Sequence, residues 1–552
     1  MNAAHRGGAR LVAIAALIVT AELAQASPAI QSATERGAFG LYPAPSFRVT
    51  TGACTDCPTI RQARWYFRDE TIAVPAPGLS YATFGTGVRP FDDLAAWAAT
   101  RKPDAPIDYP PLVWVAAPQI VNEARLSADG NRLRTASGEL AFRTVAKIPL
   151  NRSYYNEASV AFFAQRELTV RGTASADAFV ARSLWPEDFR LGNAPPPMRV
   201  LPDPASPAQS LRSLMREEPR GGAQSPYSAV TLWQRDAAQT EWAGHPVLAL
   251  MVNGAQGDDD EAHGGHFAIV TGRVHADGSL GDWLVNNYYS LDVESEKGIL
   301  AAPVPLDNYL GDLNSGQGWY RPSYMLVAVL RDDRAPALVQ SALNRLYNQF
   351  YRHQMAYYHP SENCTSISVD ALRALGWPVP ARGPSSRALA WAGFPLVALK
   401  EWSVGKAMLA FDYLNTDQTR LLPAAALEEA FASLVALGTR ETRDDAGQLS
   451  RMLADDLVAI SFVRFPQFPS SRKLGDAPAV TTREYKSRVP NDPALAQIVP
   501  VPPRPFPDEL RDPDLLPPVR HPSDFAALVW GLVSIIGIPI LLWRAWRWRR
   551  RR

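Results

Sequence analysis

The chain ends in DFAALVWGLVSIIGIPILLWRAWRWRRRR, and the 19 residues from Phe525 to Trp543 carry no charge. An apolar run of that length is enough to cross the hydrocarbon of a bilayer as one helix. Trp530 and Trp543 lie towards its two ends, and Arg544, Arg547 and Arg549 to Arg552 follow at once. Aromatic ends with a basic flank are the pattern of a span whose basic side stays in the cytoplasm. Pro539 would only kink such a helix.

The opposite end agrees with that reading. Arg6 and Arg10 precede the apolar run Leu11 to Thr20, which is followed by Ala24-Gln25-Ala26 and Ser27. This positive, apolar, small-x-small order is that of a secretory signal over residues 1–26. The expectation is a single-pass protein of the inner (cytoplasmic) membrane whose main part is periplasmic. The formal net charge of +1 hides a mildly acidic body behind the arginine tail. No basic stripe marks a nucleic-acid partner.

Between the ends the pattern divides. Residues 27–192 contain short alternating runs such as LVWVAA, ELAFRTVAKI and SVAFFAQRELTV, separated by Gly, Asn and Pro. They read as a mainly β module. Residues 193–224 include NAPPPMRVLPDPASPAQS and read as a linker or long loop. Residues 225–385 open with the strand-like runs HPVLALMVNG, HFAIVTGRV and DWLVNNYYSL and turn helical from about Ala335. Leu338, Ala342, Leu343, Leu346 and Phe350 fall on one helical face. Residues 386–485 read as a helical region, with Gly438 as a stop after LPAAALEEAFASLVALG. Residues 486–524 are a Pro-rich spacer, ahead of the span (525–543) and the arginine tail (544–552).

The chain holds three cysteines. Cys54 and Cys57 stand in C-x-x-C spacing, which suits a disulfide in an oxidising compartment. A redox pair would need a helix starting there and a preceding buried strand, of which APSFRVTTGA is a poor version, and half of a zinc site would need two further ligands nearby. Cys364 has no partner. Cys364, Ile367, Ala371 and Leu375 recur at helical spacing, and Ser361 and Asn363 are good N-cap residues ahead of them. A thiol in the first turn of a helix sits beside unpaired N–H groups and a partial positive charge. Both favour the thiolate, which is the nucleophile.

A base is available on a strand. His266 directly precedes the run Phe267 to Val270, and Gly264 and Gly265 before it allow close backbone approach. An imidazole facing that thiol takes its proton and later protonates the leaving group. The next strand offers Asn286 and Asn287 to orient the ring. Neighbouring strand residues point to opposite faces, so only one of the two can do so; Asn287 is preferred. His263 is a rival base outside the strand. Asp258, Asp259, Asp260 and Glu261 read as a solvated loop, His359 as a loop residue near the cysteine, and Tyr347, Tyr351, Tyr357 and Tyr358 as core and rim.

At this point GGHFAIVTG and ENCTSISVDAL resemble the histidine and Asn-Cys-Thr motifs of circularly permuted papain-like hydrolases, a branch of the NlpC-type superfamily that includes lecithin:retinol acyltransferase-like proteins. The likeness covers about residues 240 to 380. It implies Cys364 as nucleophile, His266 as base and Asn286 or Asn287 as orienter, with no cofactor. The fold expected is α+β: a permuted papain-like module, preceded by a mainly β module and followed by a helical region, Pro-rich linker and one C-terminal transmembrane helix. The expected substrate is an amide or ester of the cell envelope: a peptidoglycan peptide, a lipoprotein or a lipid. The competing reading is a non-enzymatic scaffold with the same module.

Overall fold

The computed structural model describes residues 30–550 apart from 36, 148–154, 193, 218–225, 237–239, 255–263, 293–297, 440–446, 471–477, 489–491, 493–502 and 514–537. The signal expected over residues 1–26, the acidic loop Asp258 to Glu261, and His263 therefore lie outside the described residues.

The centre is a seven-stranded antiparallel sheet. Its strands are β1 (Ser228–Gln234), β2 (Pro246–Asn253), β3 (His266–Arg273), β4 (Leu284–Asn287), β5 (Ala302–Pro305), β6 (Ser323–Leu330) and β7 (Leu457–Phe465). They lie in the order β1-β7-β6-β2-β3-β4-β5. Every residue of β2, β6 and β7 is buried. Strands covered on both faces lose the apolar–polar alternation and read as continuous apolar runs. The β2–β3 pair is in register along its whole length, from Pro246 opposite Arg273 to Asn253 opposite His266.

β7 lies inside the stretch expected to be helical. LVAISFVRF is rich in β-branched and aromatic residues, which suit a pleated, packed surface. It fills the gap between β1 and β6, pairing antiparallel with both.

Helices cover the sheet: α1 (Leu306–Gly311), α2 (Gln317–Tyr320), α3 (Arg334–Tyr351), α4 (Cys364–Ala374), α5 (Arg387–Glu401), α6 (Val404–Asn415), α7 (Gln418–Leu421), α8 (Pro423–Gly438) and α9 (Gln448–Asp456). Gly438 is the last residue of α8, where a Cβ would come within 2.6 Å of the Trp233 ring.

α3 is buried almost all round. Its apolar side chains Leu338, Ala342, Leu343, Leu346 and Phe350 join the core. Its polar face is buried too, against the N-terminal segment. There Arg345 Nε and Nη2 donate to Asp93 at 2.6 and 2.8 Å, Gln349 Nε2 donates to Asp93 at 3.0 Å, and Asn344 Nδ2 donates to the Tyr42 hydroxyl at 2.6 Å.

The N-terminal part holds a six-stranded sheet in the order 31–32, 119–126, 168–174, 179–186, 138–144 and 132–135, with 179–181 parallel to 142–144. A smaller three-stranded sheet joins Phe47–Thr51, Thr71–Pro75 and Val113–Trp114. One continuous cluster of buried apolar side chains runs from Cys57 to Phe506 and includes both the N-terminal sheet and the seven-stranded one. Cys54 and Cys57 are disulfide-bonded, leaving Cys364 as a buried free thiol.

The α+β character fits, but the membrane part of the expectation does not. Among the described residues no helix is long and apolar enough to cross a membrane. Residues 525–537 of the expected span lie outside the described residues. The helix that is described there, Ile538–Arg549, has 12 residues. At 1.5 Å per residue it reaches about 18 Å, short of the ~30 Å of hydrocarbon. It also carries Arg544, Arg547 and Arg549, which would sit within a membrane only at high cost. The single-pass inner-membrane assignment, and the periplasmic placement tied to it, are corrected on this ground.

Candidate active site

Cys364 is the first residue of α4, and the local sequence dictates how that helix starts. Asn363 is the N-cap: its Oδ1 accepts from Thr365 N at 2.8 Å and Ser366 N at 3.0 Å. Ser366 Oγ in turn accepts from Asn363 N at 2.8 Å, completing a reciprocal capping box. Ile367 N donates to Asn363 O at 3.0 Å. The cap therefore takes up most of the N–H groups expected to serve the thiol. Cys364 N is the loosest of them, donating to the Tyr357 hydroxyl at 3.4 Å.

The sulfur meets the start of β3. The N–H of Phe267, one residue along from His266, lies close enough to the sulfur to pull its pKa down. β4 pairs with β3 only from Ile269 onward, so that side of the strand's first residues is left for the helix N-terminus. The thiol is buried, and burial pushes its pKa up; the Phe267 N–H, the Thr365 and Tyr357 hydroxyls and the Arg321 charge act in the opposite direction without cancelling it. Burial thus works against the thiolate that the position at a helix start favours.

His266 is buried as well. Gly265 before it has φ +90°, and a Cβ there would come within 2.5 Å of Asn253 O, so the approach to the strand requires glycine. His266 Nε2 is hydrogen-bonded to Asn287 Oδ1. Asn287 Nδ2 donates to Leu300 O at 2.9 Å, which fixes the amide with its oxygen towards the ring. The imidazole then donates from Nε2 and carries its lone pair on Nδ1.

Asn286 is on the other face of β4. Its Nδ2 donates to Gln340 Oε1 at 2.9 Å and its Oδ1 accepts from Gln340 Nε2 at 2.9 Å. Of the two candidate orienters, Asn287 is the one brought to His266.

A narrow cleft of about 20 Å³ opens beside Cys364, walled in part by Tyr413, Leu421, Leu422, Pro423 and Tyr485. His359 is part of its rim, its Nδ1 hydrogen-bonded to the Tyr413 hydroxyl at 2.6 Å. Tyr347 and Tyr351 are core residues that donate to Asn287 O at 3.0 Å and Ala301 O at 2.7 Å. Tyr358 donates to Asp412 at 3.1 Å. Tyr357, by contrast, touches both the backbone and the sulfur of Cys364.

Sequence reasoning missed Arg321, whose charge reaches the thiol. A signal existed: Arg321 is the sole charged residue between Asp312 and Arg331, an isolated charge in an apolar run.

Comparison with family models, curated proteins and solved structures finds no match to this chain.

Proposed function

We propose that the chain is a cysteine hydrolase or acyltransferase that works through a thioester on Cys364. What supports this most is the meeting of a helix-start thiol with the first residues of a strand whose histidine is oriented by Asn287. The order of the two motifs, histidine strand before cysteine helix, is that of the permuted papain-like hydrolases the sequence resembles.

In this reading the Cys364 proton passes to His266 Nδ1 as Sγ attacks the substrate carbonyl carbon. The carbonyl electron pair moves onto oxygen, and Cys364 N–H, the least committed donor of the first turn, is placed to meet it. Collapse breaks the bond to the leaving nitrogen or oxygen, which takes the proton back from His266. Water or an acceptor nucleophile then resolves the thioester by the same steps in reverse. Leu421, Leu422, Pro423 and the rings of Tyr413 and Tyr485 make the lining mainly apolar, which favours a small apolar group next to the scissile carbonyl.

The test is alkylation by iodoacetamide. Cys364 should be alkylated at pH 7 to 8 despite its burial, and His266→Ala should slow that reaction well below the wild-type rate. A Cys364 inert at every pH up to 9 leaves the scaffold reading in place of this one.

A further inference from the structure

We infer that Arg321 is a positioning residue of the Cys364 site: it holds a fixed positive charge that is balanced when the sulfur becomes an anion. The inference rests on the reading of Cys364 as the nucleophile. It starts from a charge with no counter-charge among the described residues. Arg321 is 1% exposed. Its Nε and Nη2 both donate to Gln317 Oε1, at 2.9 and 2.6 Å, and its buried Nη1 has no partner.

The other deeply buried arginines are treated differently. Arg171 has Asp307 at 2.8 Å, and Arg345 has Asp93 at 2.6 Å. Arg321 has a neutral amide and, among the described residues, no carboxylate within ion-pair distance. Burying a lone cation costs several kcal/mol. A core does not need that charge for packing, and an apolar residue would fill the space at lower cost.

Its place in the fold says what the charge acts on. Arg321 comes two residues before Ser323, the first residue of β6. Ser323 is in register with Asn253, and Asn253 with His266. Arg321, the end of β2 and the start of β3 thus share one end of the sheet, the end that α4 meets. Tyr309 on α1 donates to Asn253 Oδ1 at 2.5 Å and feels both the Arg321 charge and Cys364.

The titratable groups around the thiol are His266 on β3, Tyr309 on α1, Tyr357 and His359 on the loop before α4, and Tyr413 and Tyr485 across the cleft. Asp370, farther along α4, is already paired with Arg420 at 2.7 Å. Arg321 is the permanent cation of the set. With the sulfur protonated its charge is unbalanced among the described residues. When the proton moves from Sγ to His266 Nδ1, the negative sulfur lies between two cations and the Arg321 charge is offset.

The experiment is the pH profile of Cys364 alkylation by iodoacetamide in the full chain, with Arg321→Gln, Arg321→Lys and wild type compared. Arg321→Gln should raise the apparent thiol pKa by at least about one unit and slow alkylation at pH 7 about tenfold. Its limiting rate at high pH should be unchanged, and its melting temperature should be equal or higher. Arg321→Lys should keep most of the wild-type profile. Superimposable profiles in wild type and folded Arg321→Gln would overturn the inference while leaving Cys364 as nucleophile. A wild-type thiol unreactive at every pH would remove the nucleophile and the inference with it. Loss of the fold in both variants would make Arg321 structural and overturn it too.

Discussion

His266 gives its Nε2 proton to Asn287 Oδ1, and Asn287 can accept it because its own Nδ2 is committed to Leu300 O at 2.9 Å. The bond sets the tautomer, so the first prediction concerns Asn287. Asn287→Ala should leave the imidazole free to rotate and to protonate at the wrong nitrogen. Cys364 alkylation at neutral pH, or turnover once a substrate is found, should fall about 100-fold, as small misplacements of reacting groups do. Asn286→Ala should leave that rate within about threefold while lowering stability through the lost Gln340 pair, at ~1 kcal/mol per hydrogen bond. Equal effects of the two variants on rate would contradict the assignment.

Asn363 offers a second prediction. It is not a reacting group, yet it fixes where Cys364 stands. Asn363→Ala removes both side-chain bonds to Thr365 N and Ser366 N and should cost about 1 kcal/mol, with ~2 as an upper bound. Asn363→Asp keeps the acceptor but loses the Nδ2 bond to His359 O, so it should fall between Asn363→Ala and wild type. Urea denaturation monitored by circular dichroism reads both.

The Arg345–Asp93 pair is the third. Asp93 accepts from Arg345, Gln349 and Gly85 N, the last at 2.9 Å. Asp93→Ala strands the Arg345 guanidinium inside the protein and should destabilise it by about 3–5 kcal/mol. The double variant Asp93→Ala with Arg345→Met should recover part of that loss, because no charge is then left unpaired. A double variant no more stable than Asp93→Ala alone would show that shape rather than charge dominates there.

The fourth prediction follows from the buried thiol. Its folded pKa is raised by burial. Below the unfolded pKa, about 8.5, both states hold the proton and stability is unaffected. As pH rises past that value the unfolded chain loses the proton first, so stability is lost until the folded pKa is passed. The melting temperature of wild type should therefore fall relative to Cys364→Ala above about pH 8.5 and run parallel to it below. Parallel curves up to pH 10 would mean the thiol is no harder to ionise inside than out.

How much of this was legible in the sequence depends on the range of the interaction. The start of α4, its cap and the buried face of the helix follow from residues 361 to 375 alone. The strand beginning at His266 and the need for glycine before it are equally local. Alternation allows only one of Asn286 and Asn287 to face His266, and the preference for Asn287 had no local ground, since the choice turns on Gln340, more than fifty residues away. The helix start was credited with free N–H groups that its own cap occupies, and the burial that works against the thiolate comes from residues far along the chain. β7 went unnoticed because it follows a long helical stretch, and strand pairing with residues 228–234 leaves no local trace. The C-terminal run met the composition of a membrane span, yet the described helix there is short and studded with arginines.

β1 reaches the rest of the sheet only through β7, which stands between it and β6. During synthesis, Ser228 to Gln234 therefore emerges more than two hundred residues before the strand that receives it. The sheet stays incomplete until the chain has passed Phe465. Leu421, Leu422 and Pro423, which wall the cleft, arrive only after Cys364. A ribosome-bound chain accordingly carries Cys364 and His266 for some time before the walls of the cleft close, and a chain truncated before Leu457 still lacks Thr482 and Tyr485 from that lining.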